Sequence, residues 1–389
     1  GPDGLNARLK DCKPVLVILD PKKSELASDT DTETLIADDD FFSDLEGYKN
    51  TYVTSTTSAD MAMYQYTSGT SRELPEAVKH RHRAVVTVMI AALYATGVRP
   101  GDKYMCPSSP AWGHGLWHGT LAPLALGIEI STYAGKFDPE KLLAAMEKFK
   151  ITNLSAAATH YRLMRNISHP KKHSLRLKKL SFTGEPLDTE TAHWARQTFG
   201  HDVCSIYGST EVGVIIANYP GADDLPVKVG SLGKPLPGCG VSIQNPQGKA
   251  CSVGEIGEIV LWRKNNFFRV KDLGSIDEDG YYFHHGRADD VIISAGWTMS
   301  AVEIEDVLLK HSDIAEAAVI GVPDTERGQV VKAFIVSKRS ESIEFISEVQ
   351  SFVRNRLSRH EYPRIIVIVD ELPKTPAGKV NRKTLRDQQ

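Results

Sequence analysis

Ser205-Ile206-Tyr207-Gly208-Ser209-Thr210-Glu211-Val212-Gly213 follows the apolar pair Val203-Cys204, so a short strand runs into a glycine-containing turn. Between Tyr207 and Glu211 this turn offers a phenol, two hydroxyls and one carboxylate. Such a turn can hold a flat ring against Tyr207, open a pocket at Gly208 and aim Glu211 at a cation. Alone, a strand end with Gly and Ser is more often only a turn. Its reading is decided by what lies at a distance on both sides.

The chain has 389 residues, more than one ordinary core accommodates, so two or three domains are expected. Hydrophobic residues at 41% and charged residues at 24% are those of a globular protein. A net charge of −3 argues against a nucleic-acid partner held by charge. No apolar run reaches spanning length and no signal peptide is recognisable. The five cysteines are an odd number without CxxC spacing, which points to a reducing compartment, the cytoplasm, with neither a disulfide framework nor a zinc site.

In chain order, Pro14–Asp20 reads as a buried strand and the acidic residues 21–60 as a solvated loop or linker. Thr67, Ser68, Gly69 and Thr70 put hydroxyls and backbone N–H groups where phosphate oxygens can nest. No Gly-Lys-Ser/Thr occurs, so this is not a Walker A loop. Pro110–Gly115 is a glycine-rich aromatic turn. His114 and His118 have i,i+4 spacing, but Gly115 stands where HExxH needs glutamate, and turn or core packing is the reading that spacing alone supports. Asp138-Pro139 and Asp188 each open a helix. Leu180–Thr183 is a strand that ends at Gly184-Glu185-Pro186, where backbone groups can flank a purine. Residues 228–262 show the short glycine-rich strands of a small β-barrel. Ser300-Ala301-Val302-Glu303 is a capping box opening a helix with Ile304, Val307 and Leu308 inside. Strands near 315–322, 330–336 and 365–369 and a helix near 344–357 complete a small α+β domain. Lys379 sits in a Pro/Gly loop, which by itself reads as a solvated lysine.

Six motifs, in order, resemble the adenylate-forming superfamily of acyl-CoA synthetases, peptide-synthetase adenylation domains and luciferases. Tyr66-Thr67-Ser68-Gly69-Thr70-Ser71 resembles the phosphate loop and Gly184-Glu185-Pro186-Leu187 the adenine-flanking segment. Tyr207–Glu211 resembles the adenine and magnesium motif, and Asp272-Leu273-Gly274 the ribose-binding aspartate. Gly286–Ile292 resembles the hinge and Pro373–Lys379 the catalytic-lysine loop. The branch for medium-chain and aromatic acids is the most similar. Three departures stand out. Ser71–Ala77 has an extra residue and Glu76 where lysine is usual, with Arg72 as a substitute. Val270-Lys271-Asp272 replaces Thr-Gly-Asp. Glu258 and Asp272 are only 14 apart, which points to a missing segment near Lys264-Asn265-Asn266.

The resemblance implies an α/β fold: a large multi-layer α/β N-terminal domain over 1–285, incomplete at its N-terminus, with a small β-barrel subdomain. A small mobile α+β lid follows over 286–389, hinged at Asp289. It implies an AMP-forming acid:CoA ligase acting on a medium-chain, alicyclic or aromatic acid, with ATP, the carboxylic acid and coenzyme A as partners, and a homodimer as one assembly open to it. Lys379, Glu211 and Thr210 would be catalytic, and Glu211 would hold Mg²⁺. Thr67, Ser68, Gly69, Thr70, Gly184, Glu185, Pro186, Tyr207, Gly208, Ser209, Asp272 and Arg287 would bind the nucleotide. Trp112, His114 and Gly208 would line the acyl pocket, with Gly208 leaving room for acids larger than acetate. Gly296 and Trp297 would line the coenzyme A tunnel. A non-catalytic nucleotide-binding homologue and an amino-acid or aryl-acid adenylation module are the alternatives.

Overall fold

The structure, a computed structural model, describes residues 2–29, 31–66, 77–167, 172–209, 212–263, 266–287, 292–294, 297–357, 361–374 and 380–388. The chain divides into two compact units, 1–84 and 85–389.

In the first unit, α1 (Pro2–Cys12) precedes β1 (Val17–Leu19), a 3₁₀ segment at Pro21–Asp29, β2 (Thr34–Ile36) and α2 (Asp39–Glu46). β1 and β2 pair in parallel, with Val17 opposite Thr34. The strand expected to be buried is only partly so: Val17 is covered and Ile18 is 56% exposed. The acidic stretch expected to be a loop or linker instead carries regular elements. The Asp38 carboxylate accepts the Phe41 N–H at 3.0 Å and so caps α2, while Asp39 and Asp40 fill the first turn, where the helix dipole favours anions. The acidic run is thus a helix start, with Phe41 and Phe42 packed edge to face just inside it. β3 (Met61–Tyr66) and β4 (Ala77–Arg81) pair antiparallel, Tyr66 opposite Ala77.

In the second unit, α3 (Ala84–Ala95) leads into an 11-stranded sheet. Its strands are β5 (Lys103–Cys106), β6 (Glu129–Thr132), β7 (Asn153–Ala157), β8 (Lys179–Thr183), β9 (Val203–Ser209), β10 (Gly213–Ala217), β11 (Ser231–Pro235), β12 (Gly240–Gln244), β13 (Gly257–Arg263), β14 (Asn266–Ile276) and β15 (Tyr282–Arg287). Across the sheet the order is β12-β13-β14-β15-β11-β10-β9-β8-β7-β5-β6. The β6 to β9 end is parallel, with α4 (Ala122–Ala125), α5 (Pro139–Lys148), α6 (Ala158–Arg165) and α7 (Thr189–Phe199) in its crossovers, as parallel pairing requires. From β9 through β10 the pairing turns antiparallel. The strands expected to form a barrel are therefore this antiparallel end, hydrogen-bonded into the same sheet. β13 and β14 stay paired up to Arg263 opposite Asn266, where a missing segment was expected.

Helix starts follow their caps. Asp138 accepts the Glu140 and Lys141 N–H groups ahead of Pro139, and Gly200 ends α7 in the left-handed region at φ 79°. Leu142, Leu143 and Met146 of α5 are fully buried with Leu154, Tyr161 and Leu180 in one core.

Beyond β15 lie β16 (Ile292–Ser294), β17 (Trp297–Met299), α8 (Ala301–Leu309), β18 (Ile314–Asp324), β19 (Gly328–Ser337), α9 (Ile343–Arg354), β20 (Ile365–Ile368) and α10 (Arg382–Asp387). The sheet β18-β19-β20 carries α8 and α9, with Ile304, Val307, Leu308, Phe345 and Val349 buried. The helix, two strands, second helix and third strand expected after residue 300 appear in that order, and Ser300 caps α8 by accepting the Glu303 N–H. Among the described residues no helix is long and apolar enough to cross a membrane.

Asp188 joins several of these elements. It caps α7 by accepting the Thr191 N–H at 2.9 Å, and it pairs with Arg162 and Arg165 of α6, each at 3.1 Å. Burial pushes its carboxyl up, but Arg162, the Thr191 N–H and Arg165 together hold it below the ordinary aspartate value. A carboxyl depressed in the folded state contributes stability that is present above the unfolded pKa and lost as pH falls through the folded one. Asp188→Ala is expected to cost about 3–5 kcal/mol, because two arginines lose their buried partner. Urea unfolding at pH 7 checks the size; repeating it as the pH falls below about 4, where the unfolded chain takes up the proton before the folded one does, should show the gap to wild type closing.

Candidate active site

β8 and β9 run side by side in parallel, and Thr183 Oγ1 donates to the Ile206 carbonyl at 2.9 Å. Gly184 and Tyr207 therefore lie side by side at the carboxyl ends of neighbouring parallel strands, Tyr207 still paired with Ile216 of β10, and such strand ends are where open α/β sheets bind ligands. The half-buried Tyr207 donates its hydroxyl to Asp272 Oδ2 at 2.6 Å, across a sequence separation of 65. Asp272 lies opposite Arg287 on the β14–β15 ladder. The His284 ring lies 6.0 Å from that of Tyr207, with its Nε2 3.9 Å from Asp272 Oδ2. This corner combines a flat ring, to stack on a base, with a carboxylate that can accept from a vicinal diol.

The segment after β8 is anchored by a residue that the sequence reading missed. Gly184 takes φ 104°, a conformation open to glycine. Glu185 accepts from Thr159 Oγ1 at 2.6 Å and Arg162 Nη1 at 2.7 Å. The Pro186 carbonyl accepts from Arg162 Nη2 at 2.7 Å. Glu185 and the Pro186 carbonyl are thus turned to α6 and hold the segment in place. The available signal was Arg162 and Arg165, spaced i,i+3 on a helix that precedes a capping aspartate.

At Gly208, opposite Val214 in register, an added Cβ would lie 2.0 Å from the Gly213 carbonyl oxygen. The missing side chain, expected as a choice of pocket size, is demanded by the hairpin backbone. The Ser209 hydroxyl is buried with no hydrogen-bond partner among the described residues, which suits a ligand-facing group.

The expected aromatic turn is a π-helix, His114–Leu121, with Trp112 half-buried just ahead of it. Cβ atoms at Gly115 and Gly119 would lie 2.2 Å from the Ser109 carbonyl and 2.8 Å from Cys106 Sγ, so the helix presses on β5 and the turn after it. His114 bonds Ser108 Oγ through Nδ1 and Ser155 Oγ through Nε2, each at 2.9 Å, and Ser181 donates to Ser155 at 2.9 Å. Nothing in the sequence singled out these three serines. Burial, with His118 and His160 nearby, pushes His114 down to about 3; burial pushes His118 and His160 down to about 4. His114 and His118 rings are 6.4 Å apart, and among the described residues no group of metal-ligating side chains gathers.

Thr67, Ser68, Gly69, Thr70, Thr210, Glu211, Asp289, Gly296 and Lys379 lie outside the described residues, as do the side chains of Arg287 and Trp297. Glu211 is the residue that would hold Mg²⁺; a carboxylate is the donor type a hard cation takes. The ends of the Lys379 segment are described: Lys374 and Val380 form an antiparallel bridge, and Asn381 N–H donates to the Pro373 carbonyl at 2.7 Å.

A mixed α/β sheet with this corner at its strand ends, followed by a small α+β module, defines a nucleotide-binding class. The chain belongs to the AMP-binding enzyme family, whose profile matches residues 1–269; that of the AMP-binding enzyme C-terminal domain matches residues 303–379. It is 34% identical to an uncharacterised acyl-CoA ligase of Bacillus subtilis, over 86% of this chain and 67% of the relative. It is 32% identical to 4-hydroxybutyrate–CoA ligase 1 of Metallosphaera sedula, over 86% of this chain and 63% of that protein. The crystal structure of a benzoate CoA ligase from Burkholderia xenovorans matches with a TM-score of 0.86 at 25% identity, covering 99% of this chain and 82% of the other. The chain thus spans about two thirds of the length of these curated relatives.

His114, His118 and His160 are expected to stay neutral in the fold down to about pH 4. The unfolded chain takes up their protons below about pH 6.5, so stability falls as pH drops from there, by up to about 1.4 kcal/mol per pH unit for each histidine. Imidazole proton resonances that titrate near 6.5 would contradict this.

Proposed function

We propose that this chain activates a carboxylic acid with ATP and passes it to coenzyme A. The observation that carries the reading is the contact between Tyr207 and Asp272 at the ends of the parallel strands, a base-and-ribose corner beside Gly184. A carboxylate is a poor electrophile, because its carbonyl carbon is already electron-rich. In the first step its oxygen attacks the α-phosphorus of ATP, the bond to the bridging oxygen breaks, and pyrophosphate leaves. In the second the coenzyme A sulfur attacks the acyl carbon, AMP departs with the bonding pair, and the thiol proton is lost. Asp272 accepts the ribose hydroxyls and Tyr207 stacks on adenine. The hydroxyls of Thr67, Ser68, Thr70 and Thr210 donate to phosphate oxygens, and Lys379 bridges the acid and the α-phosphate. Mg²⁺, when bound at Glu211, offsets phosphate charge.

The acid in this reading is medium-chain, alicyclic or aromatic, set against Trp112 and the neutral His114, whose ring nitrogens are both occupied by serines. Relatives are named for 4-hydroxybutyrate and benzoate, and one of similar identity for acetyl-coenzyme A, so the preference for an acid larger than acetate rests on the pocket residues. The small module, residues 286–389, turns about Asp289 between the steps, bringing Gly296 and Trp297 to the thiol path.

ATP–pyrophosphate exchange over a panel of acids tests the reading and names the acid: no exchange with any acid leaves a nucleotide-binding homologue, and exchange with amino acids an adenylation module. Lys379→Ala is expected to lower exchange by about 10²–10³ while supplied acyl-AMP and coenzyme A still give thioester. Gly296→Leu should do the reverse and accumulate bound acyl-AMP. Equal loss of the same step in both variants would remove the two-state assignment.

A further inference from the structure

α8 carries two consecutive carboxylates with different partners. Glu305, 12% exposed, accepts the Val319 N–H at 2.7 Å and receives Arg382 Nη2 on both oxygens at 2.7 Å. Arg382 opens α10, three positions after Lys379, and its Nε is buried with no hydrogen-bond partner among the described residues. Glu305 is therefore the polar anchor of the guanidinium. Burial works against the Arg382 charge, but Glu305, with Glu185 nearby, raises its pKa above the ordinary arginine value. Asp306 accepts from the Thr189 N–H and hydroxyl, each at 3.3 Å, and pairs with Lys310 at 2.8 Å. Thr189 is the first residue of α7, directly after Asp188 and the segment that Arg162 holds. A continuous polar linkage thus runs from Gly184–Asp188 through Thr189, Asp306 and Glu305 to Arg382 and the base of the Lys379 segment.

We propose that Glu305 and Arg382 are positioning residues for Lys379, with Asp306 fixing their helix to the nucleotide segment; this rests on the acid-activating reading above. The pair sets where the lysine-bearing segment leaves the module, and Asp306 sets where the module lies against α7. A displacement of about 1 Å at a reacting group can cost about 10²-fold, so an ion pair in which one guanidinium nitrogen is held between both carboxylate oxygens bears on rate as well as stability.

Arg382→Lys keeps the charge but loses the planar guanidinium whose Nη2 reaches Glu305. It is expected to lower the kcat of pyrophosphate exchange about 10²-fold, with KM for ATP and the thioester step from supplied acyl-AMP within about twofold of wild type. Glu305→Gln should follow it, and Asp306→Ala should lose at least about tenfold in the same step. In a Lys379→Ala background Arg382→Lys should cost nothing further, because both act through one group. Three results overturn the proposal: exchange at the wild-type rate, parallel loss of both steps with a lowered Tm, or an undiminished cost in the Lys379→Ala background. Should wild type exchange pyrophosphate with no acid, the acid-activating reading fails by itself. Amide hydrogen exchange over residues 373–388 then decides the linkage: faster exchange in Arg382→Lys upholds it, and an unchanged pattern overturns it.

Discussion

The buried carboxylate of Asp188 is the constraint on which the second unit depends. It opens α7 as its N-cap and satisfies two arginines of α6 on the segment that follows β8. Arg162 serves Asp188, Glu185 and the Pro186 carbonyl at once, so one guanidinium ties helix packing to the path of residues 184–188. Five planar donors in a fixed fork suit this task, and a lysine ammonium, a single point of charge, would not. Fold and site are coupled here because the same donors supply both.

The corner formed by Tyr207 and Asp272 depends equally on where the sheet changes character. Up to β9 each strand is reached by a helical crossover; at β9–β10 a tight hairpin reverses the chain and the antiparallel end begins. Tyr207 stands on the last parallel strand, and Asp272 arrives from the antiparallel end. The Tyr207–Asp272 contact lies at the seam between two kinds of pairing. Gly208 belongs to this seam, since the hairpin leaves no volume for a side chain there.

Local signals in the sequence were legible because they rest on local chemistry. Asp138-Pro139, Asp188 and Ser300 each begin a helix where a side-chain oxygen meets free N–H groups, and the order of elements after residue 300 followed from period and caps. The acidic stretch at 38–40 was misread because charge was weighed and capping was not. The short strands expected at 228–262 are present and hydrogen-bonded into the larger sheet, a continuity that a strand pattern does not state because it names no neighbour. The family resemblance singled out Tyr207 and Asp272 separately, and their contact appears only in the fold. Arg162 and the serines around His114 were not, because their roles exist only once distant strands and helices meet.

The π-helix at His114–Leu121 carries one more residue per turn than an α-helix spanning the same rise. Removing a single residue from it can relax the segment to α geometry without moving α4, and would swing by about 100° around the axis only those side chains that lie between the deletion and the end of the segment. Trp117 and His118 would then exchange faces with their neighbours while the strands on either side stay in register. Variation in this wall has a route other than point substitution: a change of one residue in length, absorbed within two turns, re-addresses a whole row of side chains at once.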